Sequence, residues 1–294
     1  DTLHLLRSGD DKESSLLIYP RAGYVYLSKG DDPNDASMGK EGRIFPKLSF
    51  LAYDCPMPRD SSTPHHLTDP VHIVFGEMAG LWIFANIVYF FIFPALGLGL
   101  SYNTAPVAIA VYFFVWAGVT LFYFWDLFAL WLSGATKIWL YVALSLGCGA
   151  LIWALLYAFS FLPVFSGLSL APSTDILFAS PWYFLPKSAE VLMQQLLITV
   201  LVLELSFRLH SFKKVIIGFA ICFGGAHVLL FLSDGAVTAY AAIMTAGSLL
   251  SALVFPYLIT RVRGGFVYSY TIHLLFYIFL AMLLHAWPPP NYFA

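Results

Sequence analysis

The hydrophobic pattern of the chain changes near residue 70. Residues 1–70 are polar and are interrupted by proline and glycine, whereas long apolar runs recur from there onwards. A helix needs roughly 20 apolar residues to cross a hydrocarbon core of about 30 Å. Apolar runs of about this length or longer lie at 72–100, 105–133, 138–162, 187–208, 214–232, 236–260 and 264–287. The pattern therefore predicts an all-α, polytopic membrane helix bundle with about seven transmembrane helices.

The polar segment 1–70 contains one β-like pattern. Two short β-prone runs, at 16–19 and 24–27, flank the sequence Pro-Arg-Ala-Gly, which is typical of a small hairpin. The rest of the segment is rich in turn-forming residues and is expected to order only against a partner. The predicted organisation is this segment at 1–70, peripheral transmembrane helices with an outer loop at 71–186, and a helical core at 187–294.

Composition strengthens the membrane assignment. The chain is 60% hydrophobic and only 11% charged, with a mean hydropathy of +0.77, whereas soluble domains carry about 25% charged residues. The lipid bilayer is thus one partner. The net charge of -2 is small, and nothing in the charge pattern indicates a nucleic acid partner. The three cysteines are scattered and predict no disulfide framework.

The basic residues predict an orientation. They fall in alternate connections between spans: Lys137 after the second span, Arg208, Lys213 and Lys214 after the fourth, and Arg261 and Arg263 after the sixth. The remaining connections, near Tyr102, Asp175 and Asp234, contain no lysine or arginine. By the positive-inside rule, the N-terminal segment lies in the cytoplasm and the C-terminus on the opposite side of the membrane.

Ionisable side chains within the apolar runs are the candidate chemistry. Each costs roughly 3 kcal/mol or more in hydrocarbon, so each needs a partner or a function. Glu204 and Arg208 are one helical turn apart and are predicted to pair. Asp126 lies in the middle of an apolar run and has no evident partner in the sequence.

Three further residues, Glu190, His227 and His273, come from three different predicted helices. Carboxylate and imidazole are the ligand types of a catalytic zinc site, in which three protein groups leave one position open for water. Gln194 shares a helix face with Glu190, and Tyr277 shares one with His273. Two interpretations stay open: a site for zinc or another divalent metal, and polar residues packed inside a bundle, which is the commoner outcome.

The order and spacing of these residues resemble the CPBP family of membrane proteins, which includes CAAX-processing endoproteases and bacteriocin-processing proteins. That family is marked by EExxxR on one helix, FxxxH on the next and HxxxN on a later one. In this chain "FGGAH" from Phe223 to His227 fits the second motif, while "AEVLMQ" at 189–194 and "HLLFY" at 273–277 occupy the places of the first and third. The resemblance covers about residues 181–287.

The resemblance implies a CPBP-like four-helix core around a cavity in the membrane, in which a glutamate activates water for metal-dependent peptide cleavage. Carried over by position, Glu190 is the candidate catalytic residue, and Glu190, His227 and His273 are candidate metal ligands. Other residues expected to line the site are Phe223, Gln194 and Tyr277.

Three positions depart from the family motifs. Ala189 replaces the first glutamate, Gln194 replaces the arginine and Tyr277 replaces the asparagine. Alanine cannot take a proton from water, and glutamine cannot supply the positive charge of arginine.

Three functions follow as hypotheses. The first is a CPBP-like integral membrane protein without the full protease chemistry, acting as an accessory or scaffold subunit of a membrane complex with other membrane protein subunits. The second is an active intramembrane metalloprotease that cleaves a small or lipidated peptide. The third is a haem- or pigment-binding membrane subunit, because the glycines beside His227 leave room for a flat macrocycle and a neutral imidazole is a good axial ligand.

Overall fold

The computed structural model describes residues 16–18, 25–27, 69–133, 138–163, 175–209, 211–228 and 239–286. Strands β1 (Leu16–Ile18) and β2 (Val25–Leu27) pair antiparallel, with Leu17 opposite Tyr26. They coincide with the two runs from which the sequence predicts a hairpin. The strand pair belongs to one unit, residues 1–62, and the helices belong to a second unit, residues 63–294.

The second unit is helical wherever it has regular structure within the described ranges. Its helices are α1 (Val71–Ile87), continued by a π-helical turn (Val88–Ile92) and by Phe93–Ala95, then α2 (Pro106–Tyr123), α3 (Trp125–Ser133), α4 (Ile138–Phe159), α5 (Phe184–Leu209), α6 (Phe212–Phe219), continued by a π-helical turn (Ala220–Gly224), α7 (Ala239–Arg261) and α8 (Gly265–Ala286). Two 3₁₀ turns, Asp175–Phe178 and Pro181–Tyr183, precede α5.

Among the described residues, six helices are long and apolar enough to cross a membrane. They are Val71–Ala95, Pro106–Tyr123, Trp139–Phe159, Pro181–Leu209, Ala242–Arg261 and Gly265–Ala286. This set suggests an integral membrane protein with several spans, as the hydrophobic pattern predicts. The predicted span at 214–232 is described as a helix only up to residue 228, and residues 229–238 lie outside the described ranges.

The predicted span at 105–133 is wrong as a single helix. It breaks at Phe124, whose backbone leaves the helical conformation with φ -99° and ψ 25°. Helix α3 then restarts at Trp125, so Asp126 lies in its first turn. A carboxylate is favourable there because the amide groups at a helix N-terminus carry partial positive charge. The apolar pattern runs through the break and could not reveal it. The break places Asp126 in the first turn of α3, where its negative charge is favourable.

Helix α5 is the centre of the bundle. Seventy-eight per cent of its most apolar window is buried within the protein, whereas no other candidate span exceeds 44%. Helix α2 packs along much of its length, and α6, α7 and α8 also contact it. Side chains on several faces of α5 are therefore removed from lipid, including Gln195, Thr199 and Glu204. Any polar chemistry in the described part of the bundle is positioned mainly by this helix.

The turn between α7 and α8 brings these two helices together. Gly264 has a positive φ of 72°, a conformation that residues with a Cβ atom avoid. At Gly265 a Cβ atom would overlap the backbone carbonyl of Leu258, one turn before the end of α7. Backbone cannot move aside as a flexible side chain can, so the close approach requires glycine.

This close approach predicts the effect of Gly265→Ala. The added methyl group must displace the backbone at Leu258, and we expect a loss of roughly 1–3 kcal/mol or more of stability, as for other overpacked sites. The control is Gly118→Ala in α2, where a Cβ atom meets nothing within 4 Å. That change should be neutral or stabilise by up to about 1 kcal/mol. Thermal unfolding in detergent, followed by size-exclusion chromatography, measures both. Equal melting temperatures for the two variants would contradict the packing described for this turn.

Candidate functional site

Glu190 accepts hydrogen bonds from three side chains. Lys187 Nζ and Tyr102 Oη each lie 2.7 Å from Glu190 Oε2, and Gln194 Nε2 lies 2.8 Å from Oε1. Lys187, Glu190 and Gln194 are spaced by one turn of α5, so they lie on one face of that helix. Tyr102 comes from the connection between α1 and α2. Both carboxylate oxygens are therefore engaged.

The Lys187 ammonium is held between this carboxylate and two aromatic rings. Its Nζ atom lies 3.9 Å from the centroid of the Tyr277 ring and 5.7 Å from that of Tyr102. The side chains of Lys187 and Glu190 are only 10% and 12% exposed. A cation on an aromatic face gains more when it is removed from water. We call Tyr102, Lys187, Glu190, Gln194 and Tyr277 the Glu190 cluster.

Tyr102 acts as a donor in this cluster. Burial raises the pKa of its hydroxyl well above the usual value of 10.0, and the negative charge of Glu190 raises it further. The hydroxyl consequently keeps its proton at physiological pH and donates to the carboxylate. A neighbouring contact fixes the same connection, because Asn103 Nδ2 donates to the backbone carbonyl of Asp175 at 3.0 Å.

His273 belongs to a second polar group, which it forms with Gln195 of α5 and Ser269 of α8. Gln195 is fully buried and its Nε2 donates to Ser269 Oγ at 2.8 Å, which turns its amide oxygen towards His273. His273 Nδ1 lies 3.4 Å from that oxygen. Because an amide oxygen can only accept, Nδ1 carries the proton and Nε2 is left as an acceptor. The His273 ring also stacks on Tyr277, with centroids 5.7 Å apart and an interplanar angle of 27°.

His227 lies in the helical residues 225–228, which follow the π-helical turn Ala220–Gly224 and continue α6. π-Helical turns often occur at functional sites. The Nδ1 atom of His227 lies 2.8 Å from the carbonyl oxygen of Phe223, so this histidine too carries its proton on Nδ1. The Phe223 ring contacts both histidines, with centroids 4.6 Å from His227 and 6.5 Å from His273. One aromatic ring thus connects the two imidazoles.

The three candidate metal ligands are distributed over two groups. In the part of the chain that the structure describes, no set of three His, Cys, Asp or Glu side chains is arranged to hold a metal ion. Glu190 binds the Lys187 ammonium, whereas His227 and His273 share Phe223. Glu190 bonds to Gln194, as expected from their helical spacing. Glu190 is connected to Tyr277 only through Lys187, whose ammonium pairs with the carboxylate and lies over the Tyr277 ring.

A cavity of about 310 Å³ lies beside these groups, between α1, α5 and α6. Gln194 and His227 both line it, as does the Phe223 ring. Gln194 thus lines the cavity while its amide nitrogen bonds to Glu190. The cavity adjoins the Glu190 cluster without including Lys187 or Glu190 in its lining.

Sequence reasoning missed three residues of the site: Lys187, Tyr102 and Gln195. Lys187 could have been found, because a lysine three residues before a glutamate on one helix is a usual pair. Tyr102 could not, because its contact with Glu190 joins positions 88 residues apart. The predicted pair of Glu204 and Arg208 is confirmed, with Arg208 Nε 2.9 Å from Glu204 Oε2.

The Glu190 cluster predicts a strong effect of Lys187→Met. The substitution leaves a carboxylate buried without its cation, which costs about 3–5 kcal/mol in comparable buried pairs. The double variant Lys187→Met with Glu190→Gln removes both charges and should recover most of that loss. Lys214→Met, at an exposed lysine of α6, is the control and should change stability by less than about 0.5 kcal/mol.

Thermal unfolding of the four proteins in detergent forms the test. If Lys187→Met unfolds at the same temperature as Lys214→Met, the buried ion pair is not what holds this region together. If the double variant is no more stable than Lys187→Met, the loss comes from packing of the lysine side chain and not from the uncompensated charge.

Comparison of the chain with protein-family models, with curated proteins and with solved structures finds no match.

Proposed function

We propose that this protein is a CPBP-like integral membrane protein without the protease reaction, and that it acts as an accessory or scaffold subunit of a membrane complex. The observation that carries the proposal is the state of Glu190. Both of its oxygens are bound by side chains of the same chain, and one of these is a lysine ammonium at 2.7 Å.

Hydrolysis needs a group that takes a proton from water. Ala189, which stands where the family has its first glutamate, is fully buried and has no group for this task. Glu190 would have to leave Lys187, Tyr102 and Gln194 before it could bind water or a metal ion. Such a rearrangement would leave a lysine cation in an apolar interior, which is costly. This cost supports a site that holds its helices together and does not turn over substrate.

The proposed four-helix core consists of α5, α6, α7 and α8. The three motif-like segments lie on α5, α6 and α8, and α7 contacts all three of these helices. The full bundle in this proposal has seven spans, with α6 continuing to about residue 232. This continuation is inferred from the apolar sequence alone.

The proposed orientation keeps the N-terminal segment in the cytoplasm and the C-terminus outside. In that orientation Lys187 stands near the outer end of α5, where the positive-inside rule disfavours free lysine. Its ion pair with Glu190 accommodates the lysine at that position, because the ammonium is buried beside a carboxylate and is not a free surface charge. The bond from Asn103 to Asp175 also joins two connections that this topology puts on the same side.

A role within a complex is supported by aromatic surface on the periphery of the bundle. Trp139, Trp153 and Phe122 are among the most exposed large side chains. Trp153 and Tyr157 stack with an interplanar angle of 14°, forming a flat exposed face on α4. Bilayer lipid accepts such a surface, and so does another membrane protein. Other membrane protein subunits are the partners that we propose.

The alternative functions differ in what they require of the site. An active metalloprotease needs a metal ion held by His227, His273 and a released Glu190. A haem or pigment subunit needs open space beside His227. Part of that space is taken, because a Cβ atom on Gly224 would already lie 2.9 Å from the Leu249 side chain.

The proposal predicts that the double variant Lys187→Met with Glu190→Gln leaves the function of the complex intact. Glutamine keeps the shape and the acceptor oxygen of Glu190 but cannot act as a base, and the second substitution avoids a lysine cation that is buried without its counter-ion. Protein purified from native membranes should contain far less than one zinc ion per chain by mass spectrometry. Crosslinking in native membranes followed by native electrophoresis should give the same assembly, larger than the monomer, for the original protein and for the double variant.

Different outcomes support different alternatives. Stoichiometric zinc that is lost in His227→Ala, together with peptide cleavage that is lost in the folded double variant Lys187→Met with Glu190→Gln, would establish the protease. A visible absorption band of the pure protein would establish a haem or pigment. Migration as a free monomer in native membranes would remove the subunit role even if zinc is absent.

A further inference from the structure

The cavity between α1, α5 and α6 has the character of a small-molecule site. Its volume of about 310 Å³ lies at the lower end of the range of roughly 300–1,000 Å³ found for ligand pockets. Its walls are mainly apolar and aromatic, with a few polar side chains. The residues that line it include Ala79, Trp82, Gln194, Phe223, Ala226 and His227.

The hydrogen-bonding state of His227 is fixed by its own helix. Nδ1 donates to the carbonyl oxygen of Phe223 at 2.8 Å, so the neutral ring carries its proton there. Nε2, on the other side of the ring, is then a lone-pair acceptor. His227 therefore offers the cavity an acceptor and not a donor.

The amide of Gln194 is oriented by Glu190. A carboxylate can only accept, so the Gln194 Nε2 atom must face it, as the distance of 2.8 Å shows. The amide oxygen of Gln194 is a further acceptor, and its nitrogen has a second N–H beside the one given to Glu190. Gln194 on α5 and His227 in the continuation of α6 both line the cavity, so two elements of the bundle bring side chains with an acceptor atom to one apolar cavity.

These acceptors select the polar group of an occupant. The group must donate a hydrogen bond to use these acceptors. The indole N–H of Trp82 and the thiol of Cys222 are donors on side chains that also line the cavity, so the group can accept as well. An ionised carboxylate cannot donate, and its negative charge is costly in apolar surroundings. An ammonium group donates, but placing a charged group in apolar surroundings within a membrane costs roughly 3 kcal/mol or more. A hydroxyl donates without charge. The apolar walls and the surrounding bilayer point to a hydrocarbon chain for the rest of the ligand.

We propose that this cavity binds a single-chain membrane amphiphile with a free hydroxyl group. The hydroxyl donates to His227 Nε2 or to the amide oxygen of Gln194, and the chain lies along Trp82 and the apolar side chains around it. The site does not rest on the role as an accessory subunit, because the cavity and its acceptors exist with or without a partner protein.

Trp82 provides a direct readout because it lines the cavity. The protein is placed in lipid nanodiscs, and brominated probes that quench tryptophan fluorescence are added: a long-chain alcohol, the matched alkane and the matched fatty acid. The same titration of Trp82→Phe is subtracted to remove quenching of the other tryptophans. We expect saturable quenching of Trp82 by the alcohol, half-complete at a membrane mole fraction roughly 2- to 10-fold lower than for the alkane or the acid, which corresponds to one hydrogen bond.

Two variants separate the hydrogen bond from the cavity. His227→Phe removes the acceptor but keeps a ring against Phe223, so the alcohol should lose its advantage and bind like the alkane. Ala226→Phe fills the cavity and should abolish saturable quenching by all three probes, with Ala79→Phe as a second filling variant if the first does not fold. Ala143→Phe, at an exposed alanine of α4 far from the cavity lining, is the matched control and should bind the alcohol as the original protein does.

Three results would overturn the proposal. One is equal, non-saturating quenching by alcohol, alkane and acid, which describes bulk lipid in contact with Trp82. Another is preference for the fatty acid at a pH at which its carboxyl group is ionised, because the site would then favour a charged group that cannot donate. The third is an alcohol preference that survives both His227→Phe and the filling variants, because the hydroxyl would then bind elsewhere. Zinc content and assembly size play no part in these measurements, so their outcome is independent of the subunit role.

Discussion

A lysine and a glutamate that are buried side by side in a helix bundle must neutralise each other, and the contacts around the start of α5 are arranged to meet that requirement. Lys187 and Glu190 are both almost fully buried and 2.7 Å apart. The carboxylate needs more donors than one ammonium can direct at it, and Tyr102 and Gln194 supply them. Because Tyr102 comes from the connection between α1 and α2, satisfying the charge also fixes that connection against α5. The ammonium in turn lies on the Tyr277 ring and ties α5 to α8. One ion pair thus links three parts of the chain.

The same helix carries a second polar layer on a neighbouring face, since Gln195 directly follows Gln194 and successive helical residues point about 100° apart. Gln195 bonds to Ser269 and lies against His273, so α5 and α8 are joined again by uncharged groups. Tyr277 belongs to both layers, since one of its contacts is the Lys187 cation and the other is the His273 ring. A bulky aromatic residue at this position fills the volume where an open, water-containing site would need space. On the proposed relation to the CPBP family, this arrangement gives a physical reason for interpreting the departures at Ala189, Gln194 and Tyr277 as parts of one change. The interior is closed by internal bonds at the positions where the family motifs have reactive groups.

Hydropathy and helical spacing predicted much of this, and long-range contacts account for what they missed. The spans follow from the length of the apolar runs, and the pair of Glu204 and Arg208 follows from its spacing on one helix. The break at Phe124 was missed because aromatic residues continue through it, so hydropathy does not change there. The hydrogen bond between Gln194 and Glu190 was accessible to the same spacing rule. The partner Tyr102 was not, since nothing local to Glu190 indicates which connection folds over it. Sequence alone therefore gave the candidate residues of the site but not their protonation or their partners, and these decide its chemistry.

Gln194 is the point at which the charged cluster and the cavity meet. Its amide nitrogen is committed to Glu190, and this bond fixes the orientation of the amide group. If the carboxylate were absent or protonated, the amide could rotate. The orientation of this cavity-lining side chain is therefore set by a charge that does not line the cavity. His227 has no such freedom, because its Nδ1 proton is held by the backbone of its own helix. On the proposed descent from a hydrolytic site, His227, which once would have served a metal ion, now lines an uncharged cavity together with Gln194. Such a cavity suits a hydroxyl-bearing lipid better than it suits an ion.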